Sequence, residues 1–146
     1  MTNDAVDTDR GLLGHVLLPV AHEEDARKTA TALEPYGPDR VTVLHVVEKG
    51  EGVPDKTPVA QSEEVAEASY AAVREVFPDA DDHTAYARDV VGAIFEAADD
   101  VGATAIAFHA HGGSRLVQFL SGDTTLKLVT NADIPVIALP DEHSDE

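Results

Sequence analysis

Three short stretches of this chain are apolar at almost every position: His15-Val16-Leu17-Leu18-Pro19-Val20, Val41 to Val47, and Ala105-Ile106-Ala107-Phe108. A strand with one wet face alternates apolar and polar side chains, so a strand that is apolar throughout needs cover on both faces. This demands a parallel sheet held between helices. The segments between the runs supply them. Ala26, Thr29, Ala30 and Leu33 recur at helical spacing and stop at Tyr36-Gly37-Pro38. After a loop from Glu48 to Pro58, the residues Val65, Ala68, Ser69, Ala72, Val73, Val76 and Phe77 share one helical face, which Pro78 closes. His83 to Arg88 alternates in polarity, as an edge strand does. Asp89 is placed to cap a third helix with Val91, Ile94, Phe95, Ala98 and Val101 inward, and Gly102 to end it. Beyond the third apolar run, Gly122-Asp123-Thr124-Thr125 opens a fourth helix that ends near Ala132, with Leu126 and Val129 facing inward, and Ile134 to Leu139 forms a last strand.

Strands therefore alternate with helices through right-handed crossovers. The polar third strand belongs at an edge and the apolar first, second and fourth strands inside, which gives a five-stranded parallel sheet of order 3-2-1-4-5. The expected fold is three-layer α/β with helices on both faces. One domain, residues 13–140, accounts for all of it, between polar acidic ends at 1–12 and 141–146 that read as mobile tails.

Composition narrows the classes of partner. The 146 residues carry 28 acidic and 10 basic side chains, a formal charge of −18, and the acids are dispersed along the chain. Such a field opposes nucleic acid and anionic membranes. It suits a cytoplasm holding molar salt, where the screening length shrinks to about 3 Å, and we expect a halophilic source. No apolar run approaches the length of a membrane span and Met1-Thr2-Asn3-Asp4 does not open a signal peptide, so a cytoplasmic location is expected. Cysteine is absent, which excludes thiol chemistry and thiolate metal sites.

In the expected strand order the chain changes direction between the first and fourth strands, and open α/β sheets bind ligands beyond the strand carboxyl ends at such a point. Val20, Ala21 and His22 would line one side, and His109-Ala110-His111-Gly112-Gly113 the other. A glycine-containing loop followed by a helix start is an anion cradle, because the first backbone N–H groups of a helix are unpaired and carry partial positive charge.

These residues carry a resemblance. From Gly14 to Pro140 the chain resembles the universal stress protein family, through Val16-Leu17-Leu18-Pro19-Val20, Leu44-His45-Val46-Val47, the His111-Gly112 loop and Ile134-Pro135-Val136. The resemblance implies a Rossmann-like fold of the adenine nucleotide alpha hydrolase-like type. It also implies a dimeric, non-catalytic stress-response protein with a regulatory site for ATP or AMP. ATP-binding members carry Gly-x-x-Gly, nine residues, then Gly-Ser or Gly-Thr, and Gly112 and Gly122 keep that separation. By the resemblance the nucleotide would meet Pro19, Val20, Ala21, Val46, His109, His111, Gly112, Gly122, Asp123 and Thr124. Three positions depart from the pattern. His109 replaces the first glycine, Asp123 the hydroxyl, and Ala21 an aspartate that usually faces the nucleoside.

Asp123 caps the fourth helix in the simplest reading. Near phosphates it would also repel them, by roughly 4 kcal/mol for one charge at about 4 Å and an effective dielectric of about 20, or on the order of a thousandfold in affinity. The expected site is thus a degenerate nucleotide loop, with a working ATP or AMP switch as the alternative. A divalent metal held by His22, His109, His111 and Asp123 is a third reading, since imidazole with carboxylate suits first-row metals. His45, within an apolar strand, is expected to be a core histidine with its hydrogen bonds satisfied. No Walker loop, Gly-x-Ser-x-Gly turn or spaced acid cluster marks an enzyme, and Ser114 with His111 lacks an orienting third group. The family commonly dimerises through the last strand, which implies a homodimer built on Val136, Ile137, Ala138 and Leu139.

Overall fold

The computed structural model describes residues 11–48, 59–109 and 132–139. Its sheet has five parallel strands: β1 (Val16–Val20), β2 (Val41–Glu48), β3 (Asp81–Ala87), β4 (Ala105–His109) and β5 (Val136–Leu139). Their order is β3-β2-β1-β4-β5, as the hydrophobic pattern requires. Helices α1 (Glu23–Leu33), α2 (Val59–Val76) and α3 (Val90–Val101) connect the first four strands. The expected fourth helix, with Leu126 and Val129, lies outside the described residues.

Each described cap follows from local chemistry. Asp89 Oδ1 accepts the Gly92 N–H at 3.2 Å to start α3, and Gly102, at φ 74°, ends it in the left-handed region open to glycine. A short 3-10 turn, Glu34–Tyr36, closes α1, with Gly37 at φ 62°. At the start of α1, Nδ1 of His22 accepts the Asp25 N–H at 3.4 Å, and Glu23, Glu24 and Asp25 place negative charge at the positive end of the helix dipole.

The two faces of the sheet bury separate sets of side chains. Val16, Leu18, Val20, Val41, Val43, Ala107 and Leu139 pack with α1 and α2, while Leu17, Leu44, Ile106 and Phe108 pack with α3. All of β1 and β4 is buried. Tyr70 of α2 joins the first core; its hydroxyl donates to the His83 carbonyl at 3.0 Å and bonds the Thr84 hydroxyl, and burial pushes its pKa up to about 12.

Several boundaries differ from those expected. β3 begins at Asp81 rather than His83, because pairing with Thr42 and Val43 and the ion pairs of Arg40 with Asp81 (2.9 Å) and Arg74 with Asp82 (2.7 Å) hold two acidic residues in the ladder. β5 begins at Val136, since Pro135 has no N–H to give, although its carbonyl accepts from Ile106 N–H at 2.9 Å. His109, expected in the loop, is the last residue of β4, pairs with Leu139 and is buried. Among the described residues no helix is long and apolar enough to cross a membrane.

The amino end of the sheet is tied by a polar network. The Thr104 hydroxyl accepts the His15 N–H at 2.9 Å and lies 3.0 Å from the Leu12 carbonyl and 3.1 Å from that of His15, to either of which it can donate. The Thr104 N–H returns to the His15 carbonyl at 2.7 Å, and His15 Nε2 meets the Thr42 hydroxyl at 2.7 Å. Burial first, then the nearby Arg40 charge, lower the pKa of His15, with Asp81 partly opposing. This end is closed.

Candidate functional site

At the opposite end of the same strands the pairing stops early, for a reason that begins with backbone parity. The Val16 N–H donates to the Arg40 carbonyl before β2, while the His15 carbonyl accepts from Thr104 beside β4. Backbone groups of successive residues in a strand face opposite neighbours. Leu18 and Val20 therefore face β2, and Leu17 and Pro19 face β4. Proline has no N–H, so Pro19 can give β4 nothing. The pairing follows suit: β1 pairs with β2 at all five of its residues, from Val16↔Val41 to Val20↔His45, but with β4 only at Val16↔Ala105 and Leu17↔Ile106. Beyond Leu17↔Ile106 the β1–β4 register has no further pair among the described residues. The ladder therefore stops at the carboxyl ends, at the crevice where the chain reverses direction across the sheet and where open α/β sheets take ligands.

Its walls carry most of the expected site residues that are described. Pro19 and Val20 are buried at the end of β1, Ala21 is half-buried in the turn that follows, and His109 is 4% exposed at the end of β4. Val46 is half-buried and turns to the α3 face. The remaining expected contacts, His111, Gly112, Gly122, Asp123 and Thr124, lie outside the described residues.

Two histidines lie near the carboxyl end of β1. His22 caps α1 through Nδ1, which must be unprotonated to accept, and its Nε2 lies 3.3 Å from Oδ2 of Asp25, a carboxylate 2% exposed. One neutral tautomer, with the proton on Nε2, satisfies both contacts. Asp25 is a site residue that the sequence reading missed, and its signal was the spacing: a polar cap followed three residues later by an acid is the pattern of a reciprocal cap. His45 also departs from expectation. It is 7% exposed, and among the described residues its Nδ1 is the only buried side-chain nitrogen or oxygen without a hydrogen-bond partner. Burial lowers its pKa, with the Val20 carbonyl opposing and the His22 ring adding to the effect. A neutral ring with an unmatched nitrogen therefore stands beside the end of β1.

Among the described residues no group of three or more His, Asp or Glu side chains could hold a metal ion. Of the expected metal set, only His22 and His109 are described. A wide depression of about 940 Å³ runs along α3 past Arg88, Asp89, Phe95, Glu96, Asp99 and Ile134. It is an open surface without a buried polar anchor, so the carboxyl ends of β1 and β4 are the better candidate.

The sequence model of the universal stress protein family matches residues 13–140, the span of all five strands. The chain belongs to the universal stress protein family. Solved structures of the family share the fold. The universal stress protein of Archaeoglobus fulgidus in complex with dAMP has 19% identity and a TM-score of 0.62, over 85% of this chain and 95% of that one. A family protein of Arabidopsis thaliana with AMP bound has 13% identity and a TM-score of 0.56, over 90% and 94%. A universal stress protein of Lactobacillus plantarum has 20% identity and a TM-score of 0.58, over 86% and 96%. No curated protein matches the sequence.

Proposed function

We propose that this member of the family is a non-catalytic, homodimeric stress-response regulator whose crevice takes an adenine mononucleotide and has lost tight ATP binding. The observation that carries the reading is the early end of the β1–β4 ladder, after Leu17↔Ile106, at the topological switch point. Similar proteins hold dAMP and AMP, which supports the class of ligand. Two residues argue against a triphosphate: His109 fills space that glycine would leave, and Asp123 sets a carboxylate in the loop that the family uses for phosphates; Ala21, with no polar group for the nucleoside, weakens the hold on any nucleotide.

Titration calorimetry with AMP and ATP in molar KCl, with and without Mg²⁺, tests this. AMP should bind more tightly than ATP, and the double substitution His109→Gly with Asp123→Ser should raise ATP affinity at least tenfold. ATP binding as tight in the native protein as in the double variant contradicts the loss. Absence of binding by either nucleotide contradicts the reading as a whole and leaves a ligand-free interaction module.

The dimer reading rests on β5, which lies at the sheet edge with Ala138 exposed and Val136 and Ile137 half-buried. Leu139 is 2% exposed and already serves the chain's own core, so its contribution to a dimer would be through the backbone. Light scattering in high salt should give a dimer at micromolar concentration. The acidic excess supports a cytoplasmic protein of a salt-rich cell, and its melting point should rise from dilute buffer to molar KCl.

A further inference from the structure

β3 is an outer strand of the sheet: among the described residues it pairs with β2 alone, and none of its seven residues is buried. Backbone parity says which of its groups look outward. The Val16 N–H reaches the carbonyl of Arg40, the residue before its partner Val41, so the even residues of β2 face β1, and Val41, Val43, His45 and Val47 face β3. By the same rule the N–H of Val43, opposite Asp82, is directed to the Asp81 carbonyl. Asp81, His83 and Ala85 therefore turn their backbone groups to β2, and Asp82, Thr84 and Tyr86 turn theirs outward. The side chains of these last three stand on the α2 face. Asp82 meets Arg74 at 2.7 Å, and the Thr84 hydroxyl bonds that of Tyr70. Tyr86 is 47% exposed and, with Thr84, borders a depression of about 710 Å³ whose other wall includes Glu63, Glu64 and Glu67 of α2.

Exposed acids alone mark nothing on a chain of charge −18. The placing of the cations is more specific. At the amino end of β3, Arg40 and Arg74 neutralise Asp81 and Asp82, while Arg27 and Lys28 are engaged with Glu23, Glu75 and Glu24. No described ion pair reaches Glu63, Glu64 or Glu67. An open strand edge with an unmatched acidic rim repels a second copy of itself and attracts a strand of opposite charge. Side chains of a strand laid beside β3 would alternate between the two faces of the sheet. Those on the α2 face would meet the carboxylates and the Tyr86 ring, a pairing that suits arginine. Those on the other face would extend the apolar surface of Ala85, which packs toward α3. We infer that the β3 edge docks an extended segment of another protein in which arginine alternates with apolar residues. The edge lies across the sheet from β5, so a dimer through β5 leaves it open.

The probe is a capped peptide of alternating arginine and valine, about eight residues long, enough to span β3. It is titrated in molar KCl, which screens the general attraction of an acidic protein for cations to about 3 Å. The fully N-methylated peptide keeps every charge and loses the ladder donors, and it should bind about tenfold more weakly, or worse. Glu63→Gln with Glu67→Gln should weaken the unmodified peptide about fivefold, and Tyr86→Leu about threefold. Both variants alter exposed side chains and leave the core intact. In backbone NMR spectra the peptide should shift the amides of Thr84 and Tyr86 and slow their hydrogen exchange, while His83 and Ala85, turned to β2, move less. Equal affinity for the two peptides, or unaltered affinity in the glutamine variant, overturns the inference. So does absence of binding, or shifts confined to residues away from β3. Slow exchange at Thr84 and Tyr86 before any peptide is added means that the edge is already covered, by this chain or by a second copy, and overturns it as well.

Discussion

β1 and β4 are tied together at one end of the sheet and lose their ladder at the other, and the difference lies in single hydrogen-bonding groups. At the foot, Thr104 and His15 exchange backbone and side-chain bonds across the two strands, and Thr42 adds a third contact from β2. At the mouth, Pro19 faces β4 with no N–H, the ladder stops after Leu17↔Ile106, and His45 keeps an unmatched nitrogen. Both ends are buried and both contain histidine, so burial and composition do not distinguish them. Polar satisfaction does.

Substitutions should separate the two ends. Leu17→Ala, in the paired segment and fully buried, should have the largest effect, destabilising by about 2–5 kcal/mol in urea unfolding through the cavity it leaves. Thr104→Val keeps the shape and removes the hydroxyl, stranding the His15 N–H, and should cost about 1–3 kcal/mol. Neither should alter AMP affinity in protein that remains folded. Pro19→Val reverses the pattern. It restores a donor toward β4, should change stability by only about 1 kcal/mol in either direction, and should weaken AMP binding at least tenfold by giving β1 and β4 a further ladder bond.

The pH response is a finer probe. His15 and His45 both have folded pKa values below the ordinary histidine value of about 6.5, so protons bind the unfolded chain more readily. Their contribution to stability is intact above that value and is lost progressively as pH falls through it. Urea midpoints in molar KCl should therefore drop between about pH 8 and pH 5.5, and the drop should shrink when His15 and His45 are both replaced by phenylalanine. An unchanged slope in the double variant would show that other groups govern it. The surface pair of Arg27 with Glu75, 3.1 Å apart and exposed on both sides, marks the lower limit: Arg27→Met should shift the midpoint too little to resolve.

The features legible in the sequence were those set by periodicity or by one local group. The strand order followed from which runs were wholly apolar, and the caps at Asp89, Gly102 and Gly37 from residues whose chemistry ends or begins a helix. The first acids of β3 were hidden, because charge reads as loop until Arg40 and Arg74 are seen beside it. His109 was read as loop because the apolar run stops at Phe108, whereas β5 offers it a strand partner in Leu139. The site was legible as a location and not as a mechanism. Which strand Pro19 faces depends on the parity of the ladder, and whether His45 finds a partner depends on where a ring points. Neither is written in the spacing of residues.

The contrast between foot and mouth is tested most directly by backbone hydrogen exchange in molar KCl with and without AMP. The account predicts that AMP slows exchange at Val20 to Ala26 and His45 to Val47 and leaves Val16, Thr104 and Ala105 unchanged. Equal slowing at both ends, or slowing at the foot alone, would contradict it.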